Sequence, residues 1–518
     1  MTVQGREGAA TAPKAPGGLR AGWRWTPAKV TWIAAFLALA VRLYMLATPT
    51  HIGGITEYDD AVYFGTSLLM THGLLPYRDF VMVQPPGVPT LMLPLALLAH
   101  LFGTRSMLEA TRVVTCLVGA ANVGLVGYLL RRRSIGAVVV GTGFMTVYAS
   151  SVLTSQTLLL EPYLNLLVLG ALAVLLAGEH LARSWWRILL AGGLLGMAGA
   201  VKTWAIMPAV IVAVVLALRS RRDLWVLAAG IAAGFVLLAG PFFIADPNAF
   251  VREVVLDQFG RGGQRTPFAL RVGYLTGFPV WPINDTAWVA APWLAAAVAG
   301  LAYPYFRVRA RLGDLERIVL ACLAVILVAM LVPPDFFYHY AAFVAPFAAM
   351  AWAYALERLR PLRAARRRLP PWALVPVALG AMAVASAVHL SGYQTGVVDP
   401  SAAVKAVVPA GACVVTDTEE ISILSDRFFA SKPGCPVIID AFGTDLAYNH
   451  AVPPADVTAV STRLEDFWIS AFARADYVVL SANNAARIPW TPRVLGYLRA
   501  HFHPVSEIGV EIFARNGA

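Results

Sequence analysis

Apolar runs separated by short polar breaks fill most of the chain. Candidate spans fall near residues 30–48, 87–103, 112–130, 135–153, 162–178, 188–201, 204–218, 224–244, 287–304, 318–332, 340–356 and 372–390. Most run for roughly 17 to 22 residues, the length of helix that crosses a hydrocarbon core of about 30 Å. The pattern changes beyond residue 395. There 412–417, 436–440 and 476–480 read as short buried strands, while 461–473 and 491–501 carry helical periodicity. The pattern therefore predicts a polytopic α-helical membrane domain over 30–390, followed by a small α/β domain over 391–518.

Charge sets the expected orientation. Basic clusters at Arg131–Arg133, Arg183/Arg187, Arg219/Arg221/Arg222, Arg307/Arg309/Arg311 and within 358–368 separate the apolar runs. If 87–103 crosses the membrane, every one of these clusters lies opposite the basic N-terminal tail. If it does not, the tail and all the clusters share one face, as the positive-inside rule prefers. That segment is also short and broken by Pro89 and Pro94, so it reads as a re-entrant or interfacial helix. The expectation is about eleven transmembrane helices, a cytoplasmic N-terminus, an extracytoplasmic C-terminal domain and a first outer loop over 49–110. Residues 1–29 read as a disordered basic tail, with signal-peptide processing as the alternative.

Composition agrees. Hydrophobic residues make up 58% of the 518 residues and charged residues 14%, far from the soluble norm, so several soluble domains are excluded. The net charge of +11 would otherwise raise nucleic-acid binding. Residues 391–518 hold 13 acidic and 9 basic side chains, however, so the positive excess belongs to the short inter-span clusters. Membrane topology accounts for it without nucleic acid. Cys116 and Cys322 lie in apolar runs. Cys413 and Cys435 are the remaining pair, with a disulfide and two buried thiols as the open alternatives.

Candidate chemistry concentrates on the expected outer face. Glu57, Asp59 and Asp60 place three carboxylates within four residues just beyond the first run. Two adjacent acids suit a general base with an orienting partner, or a cation site; a solvated loop is the alternative. Glu161, before Pro162, is either a charge at a helix N-terminus or a second acid facing the same cavity. The basic candidates are Arg78, Lys202, Arg252, Arg261, Arg265, Arg271 and His339. A lysine at the outer bend near 202 needs an anion or must snorkel. Arg261 and Arg265 flank Gly262-Gly263, a loop suited to closing over a phosphate, and His339 either binds phosphate or is a satisfied interfacial histidine. Asp417 and Asp440, at the ends of expected strands, read as turn and capping groups, with a ligand role as the alternative. Nucleotide-binding glycine loops, HExxH and Ser-His-Asp spacings are absent from the sequence.

Asp59-Asp60-x-x-Tyr63, Gly73…Pro76-Tyr77-Arg78-Asp79-Phe80, Pro85-Pro86-Gly87, Leu160-Glu161-Pro162 and Tyr338-His339-Tyr340…Pro346 together resemble a GT-C class membrane glycosyltransferase. The resemblance covers roughly 30–360 and is to the bacterial protein-O-mannosyltransferase and aminoarabinose-transferase group, which is glycosyltransferase family 39-like. It implies a polyprenyl-phosphate sugar donor and an extracytoplasmic glycan, lipid or protein acceptor. It also implies a plasma-membrane location among membrane lipids, and an inverting displacement. Asp59 takes the general-base position with Asp60 in support, the two roles being exchangeable. Glu161 takes a position where an aspartate is usual. Gln84 stands where some relatives carry a phosphate-binding lysine, so phosphate binding falls to Arg78, Lys202, Arg261, Arg265 and His339. The sequence offers no clear metal ligands and no cofactor is expected, the lipid-phosphate sugar being a substrate; metal dependence varies among such enzymes. A transporter or flippase of lipid-linked sugars is the alternative, and it would favour charges at mid-span.

Overall fold

The computed structural model of the chain describes residues 25–47, 51–177, 180–259, 266–276, 287–309, 311–333, 336–364, 374–393, 397–449, 460–481, 487–506 and 509–517. Thr26 opens the first helix, α1 (Pro27–Leu46), by accepting from the Lys29 N–H, with Pro27 at the first helical position. Two short helices follow in the first loop, α2 (Tyr58–Met70) and α3 (Gly87–Phe102). Then come α4 (Thr104–Leu130), α5 (Ile135–Val147), α6 (Ala149–Leu153), α7 (Leu160–Leu175) and α8 (Trp185–Val201). A two-stranded ribbon, β1 (Leu176–Ala177) and β2 (His180–Leu181), closes the end of α7. Beyond α8 lie α9 (Ile206–Ala217) and α10 (Arg221–Ala245), and later apolar helices at Ala287–Arg307, Asp314–Leu331, Tyr340–Ala364 and Leu374–Tyr393.

By length and composition, three described helices can cross a membrane: α1, α4 and α10. Shorter apolar helices include α3, α5, α7 and α8. The expected run 135–153 is broken at Tyr148, whose extended backbone separates α5 from α6. α3 contains Pro94 and leaves Leu97, Leu101 and Phe102 exposed, while its other side packs on α2 and α4.

Glycine spacing explains how α8 meets α10. Gly192 and Gly196 on α8 face Gly230 and Gly234 on α10, and a Cβ at any of the four would collide with a backbone carbonyl of the opposite helix. Small residues four apart let helix backbones approach this closely. The contact fixes the C-terminal end of α8, where Val201 hands the chain to Lys202. Gly87, at the start of α3, meets the Ala200 carbonyl in the same way, so Pro85-Pro86-Gly87 is seated against that end.

The C-terminal region is a four-stranded sheet with helices around it. β3 (Val414–Thr416) runs parallel to β4 (Tyr477–Ser481), while β5 (Phe502–Ser506) and β6 (Val510–Arg515) are antiparallel, in the order β3-β4-β6-β5. Helices Thr462–Arg474 and Pro492–His501 match the expected periodic segments, and the latter two strands lie beyond the expected set. Residues 436–440 are not a strand. Pro436 lacks a backbone donor, and Ile438 and Ile439 divide between two separate cores, so the apolar run there reflects anchoring rather than sheet pairing. Ile423, Leu424 and Ile439 join the core of the helical region, which seats the C-terminal region on the first loop. Cys413 and Cys435 form a disulfide with Cα atoms 5.6 Å apart, and Cys116 and Cys322 are buried free thiols.

Candidate active site

α2 carries adjacent acids on opposite sides. Asp60 is fully buried and binds Arg112 of α4, with Oδ2 accepting from Nε at 2.7 Å, while Oδ1 accepts from the Leu158 N–H. The same guanidinium donates to the carbonyls of His51, Ile52 and Gly54 and to Glu420 of the C-terminal region. Glu420 also accepts from the Thr56 N–H at 2.9 Å. One cation thus ties together the first loop, the long apolar helix α4 and the C-terminal region. Burial pushes the Asp60 carboxyl up against the pull of Arg112.

Asp59 faces a cavity of about 400 Å³. Its Oδ2 accepts from the Tyr63 hydroxyl at 3.1 Å, one helical turn away. Glu57, Lys202, His339, Asp440 and Arg487 line the same cavity. Burial first, and then the Asp59 charge, pushes Glu57 up to about 7; its Oε2 accepts from Tyr338 at 2.8 Å. The wall beside these acids is held by the first loop. Tyr77 adopts φ +70°, a left-handed conformation costing about 1–2 kcal/mol for a side-chain-bearing residue. Hydrogen bonds offset it, from its N–H to Phe80 at 2.9 Å and its hydroxyl to the Gln84 carbonyl at 2.6 Å, and these aim Val83 and Gln84 at the cavity.

The basic side of the cavity comes from the α8 end. Lys202 Nζ donates to Glu161 Oε1 at 2.5 Å and lies 3.8 Å from the Trp204 ring and 4.8 Å from the Tyr340 ring. His339 Nδ1 approaches the same Oε1 at 2.8 Å. A carboxylate accepts, so the imidazole carries hydrogen on Nδ1 and leaves Nε2 for another partner. Glu161 is completely buried at the start of α7 and does not line the cavity. It fixes Lys202 and His339, which do.

The remaining sequence candidates divide plainly. Arg78 is exposed, pairs with Asp79 at 2.7 Å and does not line the cavity. Arg252 meets Glu253 at 3.3 Å, and Arg271 is buried, donating to the Thr266 and Met330 carbonyls. Arg261 and Arg265 lie outside the described residues. Asp417 accepts from the Ser481 N–H and hydroxyl, a bracing role within the sheet. Asp440 caps helix Ala441–Tyr448 through Gly443 and also accepts from Tyr58 at 3.0 Å on the cavity wall. Among the described residues no cluster of three or more His, Cys, Asp or Glu side chains is placed to hold a metal ion.

Sequence reasoning missed Arg487, whose guanidinium lies 3.4 Å from the centre of the Tyr58 ring, and it missed Arg112. Arg487 carries no local signal. Arg112 did: an arginine at the edge of an apolar run demands buried partners.

Residues 83–334 match the family model of Glycosyltransferase family 87. No curated protein matches the chain. Among solved structures, ArnT from Cupriavidus metallidurans in the apo state aligns over 94% of this chain and 98% of its own, with a TM-score of 0.59 at 15% identity. The same protein bound to undecaprenyl phosphate gives a TM-score of 0.55 at 15% identity over the same shares. The archaeal oligosaccharyltransferase AglB from Archaeoglobus fulgidus, in complex with an inhibitory peptide and a dolichol-phosphate, aligns over 95% of this chain and 74% of its own, at TM-score 0.53 and 14% identity. At these identities the likeness is one of fold, and the fold is GT-C-like. The family model that matches this segment is that of family 87, where the sequence motifs had suggested a family 39-like group.

Proposed function

From the premise of a glycosyltransferase family 87 segment within a GT-C-like membrane fold, we propose that the chain is an inverting transferase using a polyprenyl-phosphate sugar. The observation that carries this is the pairing of opposites in one cavity. Asp59, which among the described residues accepts from the Tyr63 hydroxyl, shares the space with Lys202 and His339, both held by the buried Glu161. In the proposed reaction Asp59 takes the proton of the acceptor hydroxyl as that oxygen attacks the anomeric carbon. Lys202 stabilises the charge growing on the departing lipid phosphate, as a preorganised donor does, and Nε2 of His339 donates to the same phosphate only when it too carries a proton. Asp60 supports the base indirectly by anchoring α2 through Arg112. Arg487 and Asp440 bring the C-terminal region to the acceptor side. Arg261 and Arg265, outside the described residues, remain candidate phosphate ligands.

In this proposal the fold crosses the plasma membrane about eleven times, with the N-terminus cytoplasmic and residues 391–518 outside. The donor is a lipid-phosphate hexose or pentose, and the acceptor an extracytoplasmic glycan, lipid or protein. The support is the resemblance of fold to proteins solved with undecaprenyl phosphate and dolichol-phosphate. The test is transfer from labelled polyprenyl-phosphate sugars in membranes containing the wild type or Asp59→Asn. A new glycosidic bond made by the wild type alone is expected; lipid movement without bond formation would favour a flippase.

A further inference from the structure

Each proposed turnover leaves a proton on Asp59. The acceptor O–H bond breaks, its oxygen bonds the anomeric carbon, and the electron pair of the broken carbon–oxygen bond leaves on the lipid phosphate. Asp59 is restored only when its proton departs.

A second cavity, of about 50 Å³, adjoins the first through one hydrogen bond. Tyr338 is the link: it lines the small cavity, and its hydroxyl donates to Glu57 Oε2 at 2.8 Å, while Glu57 lines the large cavity together with Asp59. Gln156 and Thr157 also line the small cavity, and they are only 6% and 7% exposed. Gln156 Nε2 and Thr157 Oγ1 have no hydrogen-bond partner among the described residues. Buried polar atoms are ordinarily satisfied, by protein or by ordered water. The space suffices for a few waters and for little else.

Glu57 is crowded by charge. Asp59, Asp60 and His339 act on it from the first loop and the turn before Tyr340, and Glu420 from the C-terminal region. That environment suits a group that takes up a proton and releases it, and burial together with Asp59 pushes it up to about 7.

We propose that Glu57 and Tyr338 form a proton outlet from the active site, passing the proton of Asp59 to water held in the small cavity by Gln156 and Thr157. The inference rests on Asp59 as the base. Glu57 accepts the proton from Asp59, directly or across a water. Tyr338 then accepts it from Glu57 while giving its own hydroxyl proton to water in the small cavity. One proton crosses, and every side chain returns to its starting state.

The experiment measures turnover of the full chain in detergent-solubilised membranes of the cells that make it, which carry the acceptor, with labelled polyprenyl-phosphate sugar added. Rates are taken at low buffer with and without imidazole, a small diffusible proton carrier. Tyr338→Phe is expected to lower kcat about tenfold with donor KM unchanged, and imidazole to restore most of it. Thr157→Val, nearly the same shape, is expected to lower kcat about two- to threefold with the same rescue, and it covers the case in which Tyr338→Phe does not fold. Wild-type kcat in both variants at low buffer, or losses that imidazole leaves unchanged, would overturn the outlet. Asp59→Asn separates the two readings. If it turns over normally, the base assignment fails; if it is dead while Tyr338→Phe is normal, only the outlet fails.

Discussion

Asp59 and Asp60 are chemically identical neighbours with opposite surroundings. Asp60 is sealed against Arg112, the Leu158 N–H and, through the shared guanidinium, Glu420. Among the described residues Asp59 accepts from the Tyr63 hydroxyl, and it opens onto the large cavity. A helix turns about 100° per residue, so adjacent positions necessarily face different neighbours. One face of α2 builds the scaffold and the next face is left for chemistry. A carboxylate whose hydrogen-bonding capacity is already filled holds structure; one with capacity to spare is available to a substrate.

The contrast breaks most sharply at Asp59. Asp59→Asn is expected to reduce transfer by roughly 10²- to 10⁴-fold, the usual contribution of a general base, while thermal unfolding stays close to wild type. Equal destabilisation of the Asp59→Asn and Asp60→Asn variants would erase the distinction between the two faces. Next in size is Arg112→Met, which strands two buried carboxylates and is expected to cost about 3–5 kcal/mol, read as loss of folded protein in detergent unfolding. Smaller still is the effect on donor binding. Lys202→Met combined with Glu161→Gln, which avoids orphaning the buried acid, is expected to raise the donor KM by about 10- to 100-fold, the worth of a charged hydrogen bond. A donor KM within twofold of wild type would remove Lys202 from the phosphate site.

The remaining contrast is the pH response of the scaffold. Burial pushes Glu420 up to about 8 from an ordinary value of 4.5. The folded state therefore holds this proton more tightly than the unfolded chain. Its contribution to stability is full below about 4.5 and is lost as the pH rises through about 8. Unfolding temperatures followed from pH 6 to pH 9 should fall for the wild type and flatten in Glu420→Gln; parallel curves would show that this carboxyl does not titrate in that range.

Much of the helical region was legible because lipid-length apolar runs are a strong signal. α1, α7 and α10 lie within a few residues of the expected runs. α4 begins at Thr104, eight residues before its apolar run, because Thr104 and Arg105 bind Asp426 of the C-terminal region. That reason lies hundreds of residues away and leaves no local trace. The same limit governs the site. The acidic motif marked α2, and the lysine at the end of α8 announced an anion or a partner. Which of two adjacent aspartates faces the cavity depends on Arg112 and Glu420, whose partnership exists only in three dimensions. Arg78 stands apart from the cavity residues, and Asp79 beside it gives its guanidinium a local partner.

The knot around Arg112 also orders events in time. Arg112 leaves the ribosome 308 residues ahead of Glu420. Until Glu420 has been made and seated, the guanidinium has one of its two acids and Thr56 lacks its bond to that carboxylate. The wall that presents Asp59 is therefore among the last parts of the molecule to be completed. A chain cut short before Glu420 would keep its acidic motif and its long apolar helices, yet lack the bond to Glu420 that joins them to the C-terminal region.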